Sequence, residues 1–215
     1  MNKGHFFSFE GIDGSGKSTQ ASLLANSLRN RGLHVVLTKE PGGTALGKEL
    51  RRLLLEEHPK PLPLAELLLF HADRAQHIEE VITPALTADH IVICDRYIDS
   101  TYAYQGGGRG HDTDTISQLN YIAANGVMPY RTYLLDVPLL EGFRRSVRRG
   151  DTLTHFDLES HTFHNAVRTC FLSRAAHPDH LRRIRTIDGC GPLEDIATLI
   201  LHDALAIIGN SPWEE

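Results

Sequence analysis

Between Gly11 and Ser18 the chain reads GIDGSGKS, a run of glycines that ends in a lysine and a hydroxyl. Glycine has no Cβ, so the backbone can turn until successive N–H groups point at one centre. A helix opening near Lys17 adds its positive end. Such a ring of donors suits a chain of phosphates, with Lys17 reaching the terminal ones and the Ser18 hydroxyl free for a magnesium ion. The residues before it, HFFSF, read as a short buried strand, so the strand–loop–helix context of a nucleotide site is present. Gly11, Ile12, Asp13, Gly14, Ser15, Gly16, Lys17, Ser18 and Thr19 are therefore the candidate nucleotide cradle.

A second acid completes that site. Asp95 follows the apolar run HIVIC directly. A carboxylate at the end of a buried strand, beside such a loop, holds magnesium through water. Arg96 next to it can fork onto a phosphate with two parallel hydrogen bonds.

The elements that must position these groups alternate in character. Apolar runs HFFSF, LHVVLT (33–38), HIVIC (90–94), RTYLLDV (131–137) and LRRIRTI (181–187) are separated by helical patterns. Those patterns cover 17–31, 44–57, 64–81, 113–124, 138–148, 158–176 and 192–208. The alternation predicts βαβ units, a largely parallel sheet and helices on both faces. Turn punctuation is expected at Pro41-Gly42-Gly43, from Pro59 to Pro63, from Gly106 to Gly110 and from Gly189 to Pro192. No repeat or linker divides the 215 residues, so one domain spanning 1–215 is expected. Ligands of open parallel sheets sit beyond the carboxyl ends of the strands. There the sequence puts Gly11–Ser18, Lys39-Glu40-Pro41-Gly42-Gly43, Asp95-Arg96, Asp136 and Asp188-Gly189.

The segments FEGIDGSGKSTQ, EPGGT, FHADRAQH, DRYIDSTYAYQGGGRG and YLLDVP, in this order and spacing, resemble the thymidylate kinases. The resemblance runs from residue 5 to about 190. It implies a P-loop nucleoside monophosphate kinase fold, with a five-stranded parallel sheet flanked by helices on both faces. The activity it implies is phosphoryl transfer from ATP, with magnesium, to dTMP.

Motif by motif, the resemblance implies a two-ended site. Lys17, Ser18 and the loop amides would hold ATP, with Ser18 and Asp95 serving magnesium. Asp13 would face the 3′-hydroxyl of the acceptor, and Arg51 with Arg96 would grip its phosphate. Phe70 would stack on thymine and Arg74, one helical turn on, would bond the base edge. Glu40 belongs to the same acceptor-side motif, Thr101 and Gln105 would line the base pocket, and Tyr104 would exclude a ribose 2′-hydroxyl. EGFRRSVRRGDTLTHFD resembles the basic, mobile lid of the bacterial form, placed at about 144–157, with Arg145 and Arg149 as its phosphoryl-clamping cations. The cradle fits that form, since Gly14 and Ser15 leave it without an arginine of its own. Two departures stand out: Thr154-His155 replaces an Asp-Arg pair in the lid, and Lys39 replaces an arginine before Glu40.

Two other readings compete. A deoxynucleoside kinase would need a base near a 5′-hydroxyl and less acceptor-side cation than Arg51 plus Arg96 provide. A non-catalytic nucleotide switch would not need the full Lys17, Asp95 and Arg96 set. The formal charge of −5 argues against a nucleic-acid partner. No apolar run is long enough for a signal peptide or a membrane span. Cys94, Cys170 and Cys190 lack metal-site spacing and read as reduced thiols of a cytoplasmic protein. Thirteen histidines include the pairs His161/His164 and His177/His180, which read as solvated rather than metal-binding. A homodimer is expected from the family resemblance.

Overall fold

The computed structural model describes residues 4–56, 59–149, 156 and 159–209. Five strands form one parallel sheet: β1 (Phe6–Glu10), β2 (Val35–Lys39), β3 (Ile91–Asp95), β4 (Arg131–Asp136) and β5 (Ile184–Asp188). Their order is β2-β3-β1-β4-β5, so β1 is central and its neighbours on both sides are reached by crossovers. Parallel pairing demands such crossovers, and the helical patterns between the apolar runs supply them.

β1 is buried along its whole length because both faces of the sheet are covered. Phe7 and Phe9 point to one face, where α1 (Lys17–Arg29) and α9 (Leu193–Gly209) bring Leu24, Leu28, Ile196 and Ile200. Each phenylalanine has no exposed surface, a burial worth ~1.5–3 kcal/mol. Phe6 faces the other side with Val92, Ile78, Ile82 and Tyr97. On that same side Leu134 packs with Phe163, Val167 and Phe171 of α8 (His161–Ala176). The polar Ser8 is tolerated inside because its hydroxyl pairs with Thr132 Oγ1 at 2.7 Å.

The remaining helices are α2 (Ala45–Leu55), α3 (Pro63–His77), α4 (Thr83–Thr87), α5 (Ile98–Thr101), α6 (Thr113–Ala124) and α7 (Leu139–Arg149). The helix expected over 64–81 runs further, through a π-helical turn at Ile78–Ile82 into α4. Pro84 lies in the first turn of α4, directly after the π-helical turn.

A larger difference lies at Gly106–Gly110, expected to be a turn. The chain is helical as far as Gly108, with α5 continuing as a π-helical stretch over Tyr102–Gly108, and the turn is confined to Arg109 and Gly110, the latter at a φ of 78°. Gly107 and Gly108 serve close packing instead of chain reversal. A Cβ at Gly107 would lie 2.8 Å from Cys170 Cβ, and one at Gly108 would fall on the Phe163 ring. Without them, α8 can lie directly against this stretch. The lid expected at about 144–157 is described for 144–149 and 156; residues 150–155 and 157, with Thr154 and His155, lie outside the described residues, as does the Arg149 side chain.

Candidate active site

The loop after β1 has the backbone its glycines allow. Gly11, Gly14 and Gly16 take φ values of 138°, 76° and 94°, and α1 starts at Lys17 immediately afterwards. Gly14 is required twice over, because a Cβ there would also run into the carbonyl of Gly142 on α7. Lys17 is 7% exposed and its ammonium reaches Asp13 Oδ1 at 3.3 Å. Burial and then the Arg96 cation lower that ammonium below its usual range, with Asp13 and Asp95 acting in the opposite sense. Ser18 and Thr19 stand exposed on the first turn of α1.

Ser18 Oγ donates to Asp95 Oδ2, across from the end of β1 to the end of β3. The other carboxylate oxygen, Asp95 Oδ1, is buried and has no hydrogen-bond partner. A hydroxyl beside an unsatisfied carboxylate oxygen is a donor set suited to a small, hard, partly hydrated cation. The residues therefore fit magnesium.

Arg96 carries the most constrained backbone of the site, a positive φ of 72° in a bulky residue. Its side chain donates to Gly11 O (3.1 Å), Ser100 Oγ (3.1 Å), Asp13 Oδ1 (2.7 Å) and Tyr104 Oη (3.1 Å). Its Cζ also lies 4.9 Å from the Tyr104 ring centroid. Burial alone would raise the Asp13 carboxyl, but Arg96 and Lys17 outweigh it and hold Asp13 well below the usual range. Behind Arg96, the fully buried Glu10 accepts from Tyr97 N (2.8 Å), Ser100 N (3.2 Å) and Ser100 Oγ (2.6 Å). Glu10 thereby fixes the start of α5 and the hydroxyl that Arg96 bonds. Burial, with Asp99 nearby, pushes the Glu10 carboxyl above its usual range.

A second buried network orients Arg74. Its Nε donates to Glu40 Oε2 at 2.9 Å, and Nη1 donates to Thr101 Oγ1 (3.0 Å) and Asn120 Oδ1 (2.6 Å). Glu40 also meets His77 Nδ1 at 3.0 Å. Burial would raise Glu40, but Arg74 and then His77 lower it below the usual range. Asp73 Oδ1 accepts from Gly42 N at 2.9 Å and so ties α3 to the loop after β2. Arg51 Nη1 donates to Pro41 O of the same loop at 3.1 Å. Gln105 Nε2 donates to the buried Glu66 at 2.9 Å, and Glu66 is held in turn by Arg109.

One cavity of about 630 Å³ joins these parts. Asp13, Lys17, Ser18 and Asp95 line it together with Glu40, Arg51, Phe70, Arg74, Arg96, Thr101, Tyr104 and Gln105. Arg145 does not line it. That side chain donates to Glu141 (2.8 Å) and to Gly189 O (2.8 Å), behind the cradle. Sequence reasoning missed Ser100, Tyr97 and Phe156, which also line the cavity, and the supporting Glu10, Asp73 and Asn120. Ser100 and Phe156 lie inside segments already singled out, the second in the lid-like one, whereas Asn120 carries no local signal.

A parallel sheet of order β2-β3-β1-β4-β5, a glycine loop after its central strand and an acid at the end of β3 define a P-loop nucleoside monophosphate kinase fold. The comparison with known proteins narrows the class. The family model described as thymidylate kinase matches residues 9–200. The thymidylate kinase of Geotalea daltonii is 48% identical over 214 residues, covering 96% of this chain and 98% of its own. That of Pelobacter propionicus is 43% identical over 208 residues, with 94% of each chain covered. The crystal structure of thymidylate kinase from Ehrlichia chaffeensis superposes with a TM-score of 0.76 at 36% identity, covering 94% of this chain and 98% of that one. This chain belongs to the thymidylate kinase family.

Proposed function

We propose that this enzyme transfers the γ-phosphoryl group of ATP to dTMP, giving dTDP and ADP for dTTP synthesis. The observation that supports it best is one shared cavity lined by Lys17 and Asp95 together with Arg51, Phe70 and Arg74, with Arg96 meeting Lys17 at Asp13 Oδ1 between the two groups. At the donor end, the amides of the Gly11–Thr19 loop and the Lys17 ammonium bind the triphosphate. Ser18 and Asp95 would hold magnesium, which when bound would supply positive charge to the phosphates.

No side-chain base is needed. The second pKa of a phosphate monoester is about 6, so the attacking oxygen of dTMP is ionised at neutral pH. The protein's task is to align two polyanions and offset their repulsion. Arg96 does so from an orientation fixed by Ser100, Gly11, Asp13 and Tyr104 before substrate arrives. Arg51 adds a second cation. Asp13 and Tyr104 meet the sugar, Phe70 offers a stacking face, and Arg74, held by Glu40 with Thr101 and Gln105 beside it, reads the base edge.

The same proposal includes one domain over 1–215 with a lid at about 144–157 carrying Arg145 and Arg149, and a cytoplasmic setting. Among the described residues no helix is long and apolar enough to cross a membrane. A homodimer is supported by three adjacent helices, α2, α3 and α6, which expose Leu46, Leu53, Leu64, Leu68, Tyr121 and Ile122. The test is product identification: purified protein with ATP, magnesium and dTMP should yield dTDP by chromatography. Absence of dTDP with both substrates saturating would overturn the reading.

A further inference from the structure

We propose that Phe156 is a specificity-determining wall of the acceptor-base pocket and that Arg109 is the positioning residue that holds it there. The proposal rests on the reading that a nucleoside monophosphate base lies on Phe70. Phe156 lies in the lid-like segment but is not among the site residues that the sequence points to, yet it is 5% exposed and lines the cavity. It meets Tyr104 edge-on, with centroids 5.6 Å apart and planes at 85°. Its centroid is 6.2 Å from that of Phe70, with the planes tilted by 51°.

That geometry says which part of a base Phe156 can touch. A ring sandwiched between two parallel faces needs about 7 Å between them, twice a carbon–carbon contact of ~3.5 Å. Phe70 and Phe156 are too close and too tilted for this. A base resting on Phe70 would instead meet Phe156 at its rim. A wall at the rim filters by size, admitting a single pyrimidine ring and opposing the extra ring of a purine.

Arg109 fixes the wall. Its Cζ lies 5.2 Å from the Phe156 centroid and 4.9 Å from that of Phe163. The two rings are in contact with each other, centroids 6.3 Å apart, and the guanidinium lies against both, so it braces the pair as one unit. Its edge is committed as well. Nε and Nη2 donate to the two oxygens of Glu66 at 3.2 Å each, and Nη1 donates to Glu159 at 2.5 Å. Glu66 also holds Gln105, another cavity residue, so one guanidinium aligns Phe156 with the pocket it closes.

The experiment compares kcat and KM for dTMP and for dGMP in the wild type, Phe156→Ala, Arg109→Met and the double variant. Phe156→Ala should raise the dTMP KM by about tenfold with kcat nearly unchanged, the scale of a few methylenes lost from a pocket. The kcat/KM ratio of dGMP to dTMP should rise by a similar factor. Arg109→Met should move both quantities the same way, and should add less than about twofold on the Phe156→Ala background. Thermal melts separate folding from recognition, and Phe156→Leu and Arg109→Lys serve if the first variants do not fold. Melting points that fall while KM and acceptor preference stay at wild-type values would overturn the proposal. A wild-type enzyme that does not phosphorylate dTMP at all would instead overturn the functional reading beneath it.

Discussion

Removing the Glu40 carboxylate should destabilise the protein far more than removing an equivalent surface charge. The Glu40 and Arg74 side chains are 4% and 3% exposed and joined at 2.9 Å, and His77 sits 3.0 Å from the other carboxylate oxygen. Glu40→Ala leaves the Arg74 cation buried without that partner. Breaking such a pair costs ~3–5 kcal/mol, and at ~2–4 °C per kcal/mol for a chain of this size the melting point should drop by ~6–20 °C. The control is Glu49→Ala, whose pair with Arg52 at 3.1 Å has side chains 65% and 48% exposed and should matter by less than about 1 kcal/mol. Urea unfolding followed by far-UV circular dichroism, at pH 7 and fixed salt, gives both values. Adding Arg74→Met to Glu40→Ala removes the stranded charge, so the double variant should lose less than the sum of the singles by ~0.5–3 kcal/mol. A Glu40→Ala loss below about 1 kcal/mol, or strict additivity, would refute the claim that Glu40 is the anchor of Arg74.

Two further outcomes test the scaffold. Burial, then the nearby Glu40, pushes the Asp73 carboxyl up to about 6 from an ordinary value near 4. The fold therefore disfavours ionised Asp73, and its contribution is full at low pH and declines as pH rises through about 6. Thermal melts from pH 4 to 7.5 should show Asp73→Asn gaining on the wild type as pH rises, by up to about 3 kcal/mol at 1.36 per unit; a constant gap would count against it. Gly14→Ala puts a Cβ onto the Gly142 carbonyl at a φ of 76°, so calorimetric ATP affinity should fall more than about tenfold. Unchanged affinity would mean that α7 does not constrain the cradle.

How much the sequence revealed depended on whether the signal was local. The Gly11–Ser18 turn is written in the residues that make it, and the three positive φ values fall on its three glycines. All five strands were legible, most clearly the central β1, β3 and β4, which are buried on both faces, while the edge strands β2 and β5 are partly exposed, and strand ends shifted by up to three residues. Gly106–Gly108 misled for a tertiary reason. Glycine marks conformational freedom and close approach alike, and here the approach of α8 decides. Phe70 and Arg74 stood out through motif resemblance, since an apolar helix face alone does not separate a core phenylalanine from a cavity one. Asn120 supports Arg74 from 46 positions away, and Phe156 reaches the cavity from beyond α7. No spacing rule connects such pairs until the chain is folded.

The central claim is that a phosphate-bearing thymine nucleotide is the acceptor. The most direct measurement is ADP release with ATP and magnesium, comparing dTMP, dUMP, dCMP and thymidine at equal concentration. Turnover with dTMP well above the other three is the predicted result, because Arg51 and Arg96 need the phosphate and Phe70 with Arg74 need the base. Turnover with thymidine but not dTMP would contradict it and place the chemistry at a sugar hydroxyl.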